Sequence, residues 1–246
     1  LLVEDNPDVG QYLKTCLEDQ YQLIMATDGG MGIEMAIEKI PDLIITDVMM
    51  PRKDGYQLTG ELKSHEITNH IPIIILTGKF SLDSKIKGLG VDADVYLTKP
   101  FDSRELKAHI QTLLNNRKRL QEKYSREIKL SSETLSDPAS KESLFLQKCI
   151  EVVETELSND AFSIEDFADA LAMSRTQLFR KLKALTNQSP SRFIRSIRLR
   201  HALNLIKADA ATISEIAFQV GFGSTSYFNR VFKEEFGKAP GAYSPS

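Results

Sequence analysis

Glu4, Asp5, Asp47, Thr77 and Lys99 each close a short apolar run: "LLVED", "PDLIITD", "IPIIILT" and "DVYLTK". A carboxylate beside apolar neighbours is costly unless it has partners. Three carboxylates brought together repel and raise one another's pKa, a conflict that a hard divalent cation resolves. Mg2+ favours carboxylates together with retained waters and phosphate oxygens. Beside such an ion, Asp47 can act as a nucleophile and take up a phosphoryl group as an aspartyl phosphate. Lys99 is a compact point charge suited to a phosphoryl oxygen, and the Thr77 hydroxyl can donate to another. Each residue alone reads as a loop acid, a helix cap or a solvated turn. Their recurrence at the ends of successive runs points to chemistry.

Those runs need elements that bring their ends to one edge. With "YQLIMAT" they make five strand-like segments in about 115 residues, separated by helical patterns. Val9, Tyr12, Leu13, Cys16 and Leu17 follow i, i+3, i+4, i+7, i+8 spacing, as do Ile33, Ala36, Ile37 and Ile40 in part. The alternation predicts an α/β doubly wound, five-stranded parallel sheet with helices on both faces, over residues 1–118. In such sheets ligands sit outside the carboxyl ends of the strands.

Charge divides the chain. Residues 1–116 hold 11 Lys/Arg against 18 Asp/Glu, a net −7, whereas residues 160–246 hold 12 against 8, a net +4. Between Asp169 and Asp209 there is no acid, but there are nine Lys/Arg. An acidic front and a basic back suggest separate partners. The longest apolar stretches are far short of a membrane span. The start "LLVEDNPD" lacks a basic region ahead of an apolar block, and it opens without Met inside a strand pattern, as a piece of a longer chain would. Cys16 and Cys149 read as buried thiols of a reducing compartment. His65, His70, His109 and His201 have no metal-ligand spacing.

From Leu106 the positions Leu106, Ile110, Leu113, Arg117, Leu120 and Tyr124 step by 4, 3, 4, 3 and 4. This predicts a helix that continues beyond the sheet domain, either packed on it or paired with a second copy in a short coiled coil. Residues 119–142 then read as a helical extension and a linker, "LSSETLSDPAS".

Residues 143–246 predict an all-α domain. In "SIEDFADALAMSRTQLFRKLKAL" a capped short helix is followed by a turn and by a second helix starting at Ser174. Leu178, Leu182 and Leu185 face inward, leaving Arg175, Thr176, Gln177, Phe179, Arg180 and Lys183 outside. This is a helix-turn-helix with a basic second helix. "TISEIAFQVGFGSTSYFNRVFKEEFG" repeats the plan, with Gly221 at a left-handed helix end and Thr225, Ser226, Asn229, Arg230 and Lys233 exposed. A basic helix of about 17 residues, Ser191–Lys207 and including Arg195, joins the two. Two such units on a basic connector point to double-stranded DNA.

The stretches "VEDN", "DVMMPRKDG", "ILTG" and "YLTKPF" resemble the flavodoxin-like receiver domain of bacterial response regulators, with Asp47 separated from Thr77 by 30 residues and from Lys99 by 52. "GFGSTSYFNRVFKEEFGKAP" resembles the AraC-type DNA-binding domain, although Tyr243 is followed by Ser244 where that family usually has Arg. The receiver resemblance implies Asp47 as phosphoacceptor, Mg2+ held by Asp5, by Asp47, by the Met49 carbonyl and by Glu4 through water, Tyr96 as the aromatic switch, and a cis Lys99-Pro100 bond. It also implies a histidine kinase as phosphodonor. Phosphorylation would draw Thr77 and Lys99 inward, turn Tyr96, re-shape the face of the fourth helix, fifth strand and fifth helix, and favour a homodimer. The order of domains resembles the cytoplasmic output end of hybrid two-component sensors, with no membrane contact of its own. A free-standing response regulator, a phosphotransfer enzyme without DNA output and a module that contacts protein are the other readings. No catalytic turnover is expected.

Overall fold

The structure is a computed structural model that describes residues 1–78, 93–130 and 137–245. It comprises two compact units, Leu1–Arg119 and Leu120–Ser246.

In the first unit, β1 (Leu2–Val3), β2 (Met25–Ala26), β3 (Ile44–Asp47), β4 (Ile73–Thr77) and β5 (Val95–Thr98) form one sheet in the order β2-β1-β3-β4-β5. All pairings are parallel. This is the doubly wound order that reverses between β1 and β3. Every residue of β3 and β4 is buried, as strands covered on both faces must be. Leu2, Ile45, Ile74, Leu76 and Leu97 pack with Leu13, Leu17, Leu106 and Ile110 on one side. Helices α1 (Pro7–Leu17), α2 (Gly29–Lys39) and α3 (Gly55–Ser64) start from Asn6, Asp28 and Asp54, whose side chains accept backbone N–H groups of the first turn. Such caps are each worth about 0.5–2 kcal/mol. Residues 79–92, where the fourth helix of the expected switch face falls, lie outside the described residues.

Helix α4 runs unbroken over Ser103–Leu130, and the boundary between the units falls within it. The heptad-like spacing is therefore no single seam. Leu106 and Ile110 are buried in the sheet domain, Arg117 donates to the Asp42 carbonyl at 2.6 Å, and Leu120 is exposed. Tyr124 and Ile128 are buried in the second unit, where the Tyr124 hydroxyl lies 3.3 Å from Ser140 Oγ. Of the stepped positions, Leu106, Ile110 and Tyr124 are buried while Leu120 stays exposed. Residues 120–130 continue the helix beyond the sheet domain and group with the helical unit, and residues 131–136 of the expected linker lie outside the described residues.

The second unit continues with α5 (Lys141–Thr155), α6 (Ile164–Ala170), α7 (Arg175–Thr186), α8 (Pro190–Lys207), α9 (Ile213–Gln219), α10 (Thr225–Phe236) and a 3-10 turn, Pro240–Tyr243. Helices α6–α7 and α9–α10 are the two helix-turn-helix pairs. Capping boxes open α6 (Ser163/Asp166), α7 (Ser174/Gln177) and α9 (Thr212/Glu215), which is why short helices can start at fixed residues. Leu199, Ala202 and Ile206 of α8 pack with Ile216, Val220, Phe228 and Phe232. Tyr243 closes this core against Phe232 and Phe236, and its hydroxyl donates to the Phe236 carbonyl at 2.8 Å. No helix among the described residues is long and apolar enough to cross a membrane.

Candidate functional site

The parallel sheet delivers the five chemical residues to one edge. Glu4 follows β1 and is tied to β2 through its N–H on the Ala26 carbonyl. Asp47 and Thr77 end β3 and β4, and the Lys99 N–H, just past β5, donates to the Thr77 carbonyl. Glu4, Asp47 and Thr77 are buried, while Asp5 is exposed. Oxygens of Glu4, Asp5 and Asp47 come within 4.8 Å of one another.

The Lys99 ammonium lies 3.0 Å from Asp47 Oδ1 and 3.0 Å from Glu4 Oε2. Burial pulls the Lys99 pKa down, but hydrogen bonds and charge from Asp47 and Glu4 outweigh it and hold the group above its ordinary value. Burial raises the Glu4 carboxyl, against the lowering pull of Lys99. Two carboxylates on one ammonium, with a third beside them, form an acid-rich pocket that suits a divalent cation and a phosphoryl group. The Thr77 hydroxyl donates to the Gly78 carbonyl at 3.1 Å, the Tyr96 ring is half-buried with its centroid 6.5 Å from that of Tyr56, and the Met49 side chain is exposed. The Lys99-Pro100 bond is cis.

One positioning residue escaped the sequence reading. Gly55 returns the loop after β3 through its N–H on the Val48 carbonyl. A Cβ there would stand 2.1 Å from the Asp47 carbonyl oxygen, so any side chain would displace Asp47. The signal was the glycine that ends "DVMMPRKDG".

In the helical unit, α7 turns Thr176 and Lys183 outward with Arg180 half-exposed, and α10 turns Ser226, Asn229, Arg230 and Lys233 outward with Thr225 half-exposed. Two of the expected DNA-facing residues are committed locally. Arg175 pairs with Glu165 at 2.6 Å, and the Gln177 side-chain oxygen accepts the Ser174 N–H at 2.9 Å to close the capping box. Arg195 donates to the Tyr227 hydroxyl at 3.3 Å, and the Arg230 guanidinium lies 5.3 Å from the Tyr227 ring centroid. Tyr227 thus links two cations on the exposed surface, a role that charge counting missed.

The expected basic surface is smaller than the sequence suggested. Of the nine acid-free cations, Lys181, Arg198 and Arg200 are buried. The Lys181 ammonium sits 4.1 Å from the Phe145 ring centroid. Arg198 donates to the Gly221 carbonyl at 2.8 Å and to the Asn159 carbonyl at 2.5 Å, and Arg200 pairs with Glu154 at 2.8 Å. Arg198 therefore ties the turn after α9 to the segment before α6, fixing one helix-turn-helix to the other. Gly221 has φ +78°, and a Cβ there would meet the Leu157 carbonyl oxygen at 2.5 Å and the Arg198 guanidinium carbon at 2.7 Å.

Comparison with known proteins matches these two arrangements to two families. Residues 1–111 match the response regulator receiver domain, and residues 167–245 match a helix-turn-helix domain. Response regulator MprA of Mycobacterium leprae is 35% identical over 159 residues, which make up 64% of this chain and 68% of that protein. The chain belongs to the response regulators. Histidine kinase P4 of Formosa agariphila is 37% identical to this response regulator over 243 residues, which are 99% of this chain but 18% of that protein. The chain thus spans less than a fifth of that relative. The receiver domain of sensor histidine kinase PA1611 from Pseudomonas aeruginosa PAO1, a structure with magnesium coordinated in its active-site cleft, is 30% identical and covers 46% of this chain and 94% of that one, with a TM-score of 0.44. A receiver domain and a helix-turn-helix domain thus stand in one chain.

Proposed function

We propose that Asp47 is the phosphoacceptor of this response regulator and that its phosphorylation controls recognition of double-stranded DNA by α7 and α10. The observation that carries the reading is the Lys99 ammonium 3.0 Å from Asp47 Oδ1, in a cluster whose third carboxylate belongs to Asp5. A carboxylate oxygen of Asp47 attacks the phosphorus of a phosphohistidine, and the P–N bond breaks with its electron pair leaving on the donor imidazole. Lys99 then meets one phosphoryl oxygen and Thr77 donates to another. Asp5, Asp47, the Met49 carbonyl and Glu4 through water are the groups that would hold Mg2+, and the oxygens within 4.8 Å fit a hard cation. When bound, the ion neutralises charge on the phosphoryl group.

The added charge of about −1.5 to −2 biases a two-state element. Thr77 and Lys99 close on the phosphoryl group, and Tyr96 turns inward. The phosphorylated form self-associates as a homodimer in the cytoplasm; equal sedimentation of both forms at micromolar concentration contradicts this. On DNA, Thr176, Arg180, Asn229 and Arg230 face base edges, with Thr225 and Ser226 at the start of α10. Lys183, Arg195 and Lys233 meet phosphates. The likeness to histidine kinase P4 along nearly the whole chain favours the output end of a hybrid sensor, with the kinase in the same polypeptide, over a free-standing regulator.

Labelling with acetyl phosphate in Mg2+ tests the phosphoacceptor. Wild type gains an acid-labile label, and Asp47→Asn or chelation of Mg2+ abolishes it. Label that persists on Asp47→Asn assigns the role to another residue.

A further inference from the structure

Helices α7 and α10 present nearly the same outward stripe. On α7, Thr176, Phe179, Arg180 and Lys183 recur at i, i+3, i+4 and i+7, opposite buried Leu178, Leu182 and Leu185. On α10, Ser226, Asn229, Arg230 and Lys233 recur at the same spacing, opposite buried Phe228, Val231 and Phe232. Both stripes begin two residues after a serine N-cap, Ser174 or Ser224, so they start at the same phase of their helices. Hydroxyl, arginine and lysine match position for position. The second position alone changes character, to Phe179 on one helix and Asn229 on the other.

Phe179 is 47% exposed, and among the described residues it stacks on no other ring. On the stripe proposed to face DNA, this ring offers apolar surface whose burial against a partner would stabilise the complex. The partner that suits the surrounding charge is polyanionic, so the apolar group that meets Phe179 has to sit on a nucleic acid. On the major-groove edge of B-DNA the apolar group is the thymine C5-methyl. A phenyl ring neither donates nor accepts a hydrogen bond, so it rewards that methyl and gives nothing to the polar edges of guanine, cytosine or adenine. An asparagine amide has the opposite preference and pairs with adenine N6 and N7.

We infer that Phe179 reads a thymine methyl in the DNA segment under α7, while Asn229 reads an adenine at the matching place under α10. The inference rests on the DNA-binding reading above. It gives the bound site a specific form: two segments alike at the base next to Arg180 and Arg230, and different at the base beside it.

The test uses the duplex that the full chain selects from a random pool, with each thymine replaced singly by deoxyuridine. That exchange removes the methyl and leaves base pairing and O4 intact. Wild type should lose about fourfold in affinity at one thymine of the α7 segment, the factor for one buried methyl-sized group. Phe179→Ala should bind the thymine and uracil duplexes equally, and because the ring is on the surface the variant should fold. Asn229→Ala should keep the thymine–uracil difference and relax the choice at an A·T pair in the other segment. Indifference of wild type to uracil throughout the α7 segment, or a difference that survives in Phe179→Ala, overturns the inference while leaving DNA binding intact. Failure to select any duplex overturns both.

Discussion

The Lys99 ammonium sits midway between two acids, 3.0 Å from Asp47 Oδ1 and 3.0 Å from Glu4 Oε2. It partly does the work of a cation in an acid cluster, and it competes with one. Lys99→Met should therefore tighten Mg2+ binding several-fold, as measured by titration calorimetry, because a like charge leaves the pocket. The same variant should take up label from acetyl phosphate more slowly, since the phosphoryl oxygen loses its ammonium partner. Weaker Mg2+ binding in Lys99→Met would show that Lys99 organises the ligands rather than opposing the ion.

Gly221 should tolerate no side chain. With φ +78° and the Leu157 oxygen 2.5 Å from a Cβ, Gly221→Ala strains the backbone and pushes on the Arg198 guanidinium. The expected cost is about 1–3 kcal/mol, read as a lower urea midpoint for the helical unit. Protection against hydrogen exchange should fall at residues 157–160, which Arg198 ties to the turn. Unchanged protection there would show that Arg198 does not couple the two motifs.

Base-reading and phosphate-contacting cations should separate by their salt and sequence dependence. Arg180→Ala and Arg230→Ala should each cost about 1–3 kcal/mol on the selected duplex and less on a scrambled one. Lys183→Ala and Lys233→Ala should weaken both duplexes alike and lower the slope of log affinity against log salt by about 1. Equal loss on both duplexes for the arginines would make them phosphate contacts.

The sheet and its chemical edge were legible because each site residue terminates an apolar run, and parallel strands align run ends. The two helix-turn-helix motifs were legible through their caps and repeated spacing. Beyond Gly55 and Tyr227, three features were not. The steps of 4 and 3 from Leu106 to Tyr124 continue across two packing partners, so periodicity alone could not show that Ile110 and Tyr124 enter different interiors. Charge counts carry no direction, and the nine cations they counted include Lys181, Arg198 and Arg200, which backbone carbonyls, Glu154 and the Phe145 ring draw inside. Gln177 was read as exposed, although the capping box with Ser174 engages its side chain.

The central claim is that phosphorylation at Asp47 controls DNA binding by the same chain. Its most direct test is the affinity of wild type and Asp47→Asn for the selected duplex, at fixed salt and Mg2+, with and without acetyl phosphate. Phosphorylated wild type should bind several-fold more tightly than the unphosphorylated protein, and Asp47→Asn should bind identically under both conditions. Equal affinity of the two wild-type forms, or the same tightening in Asp47→Asn, would contradict the account.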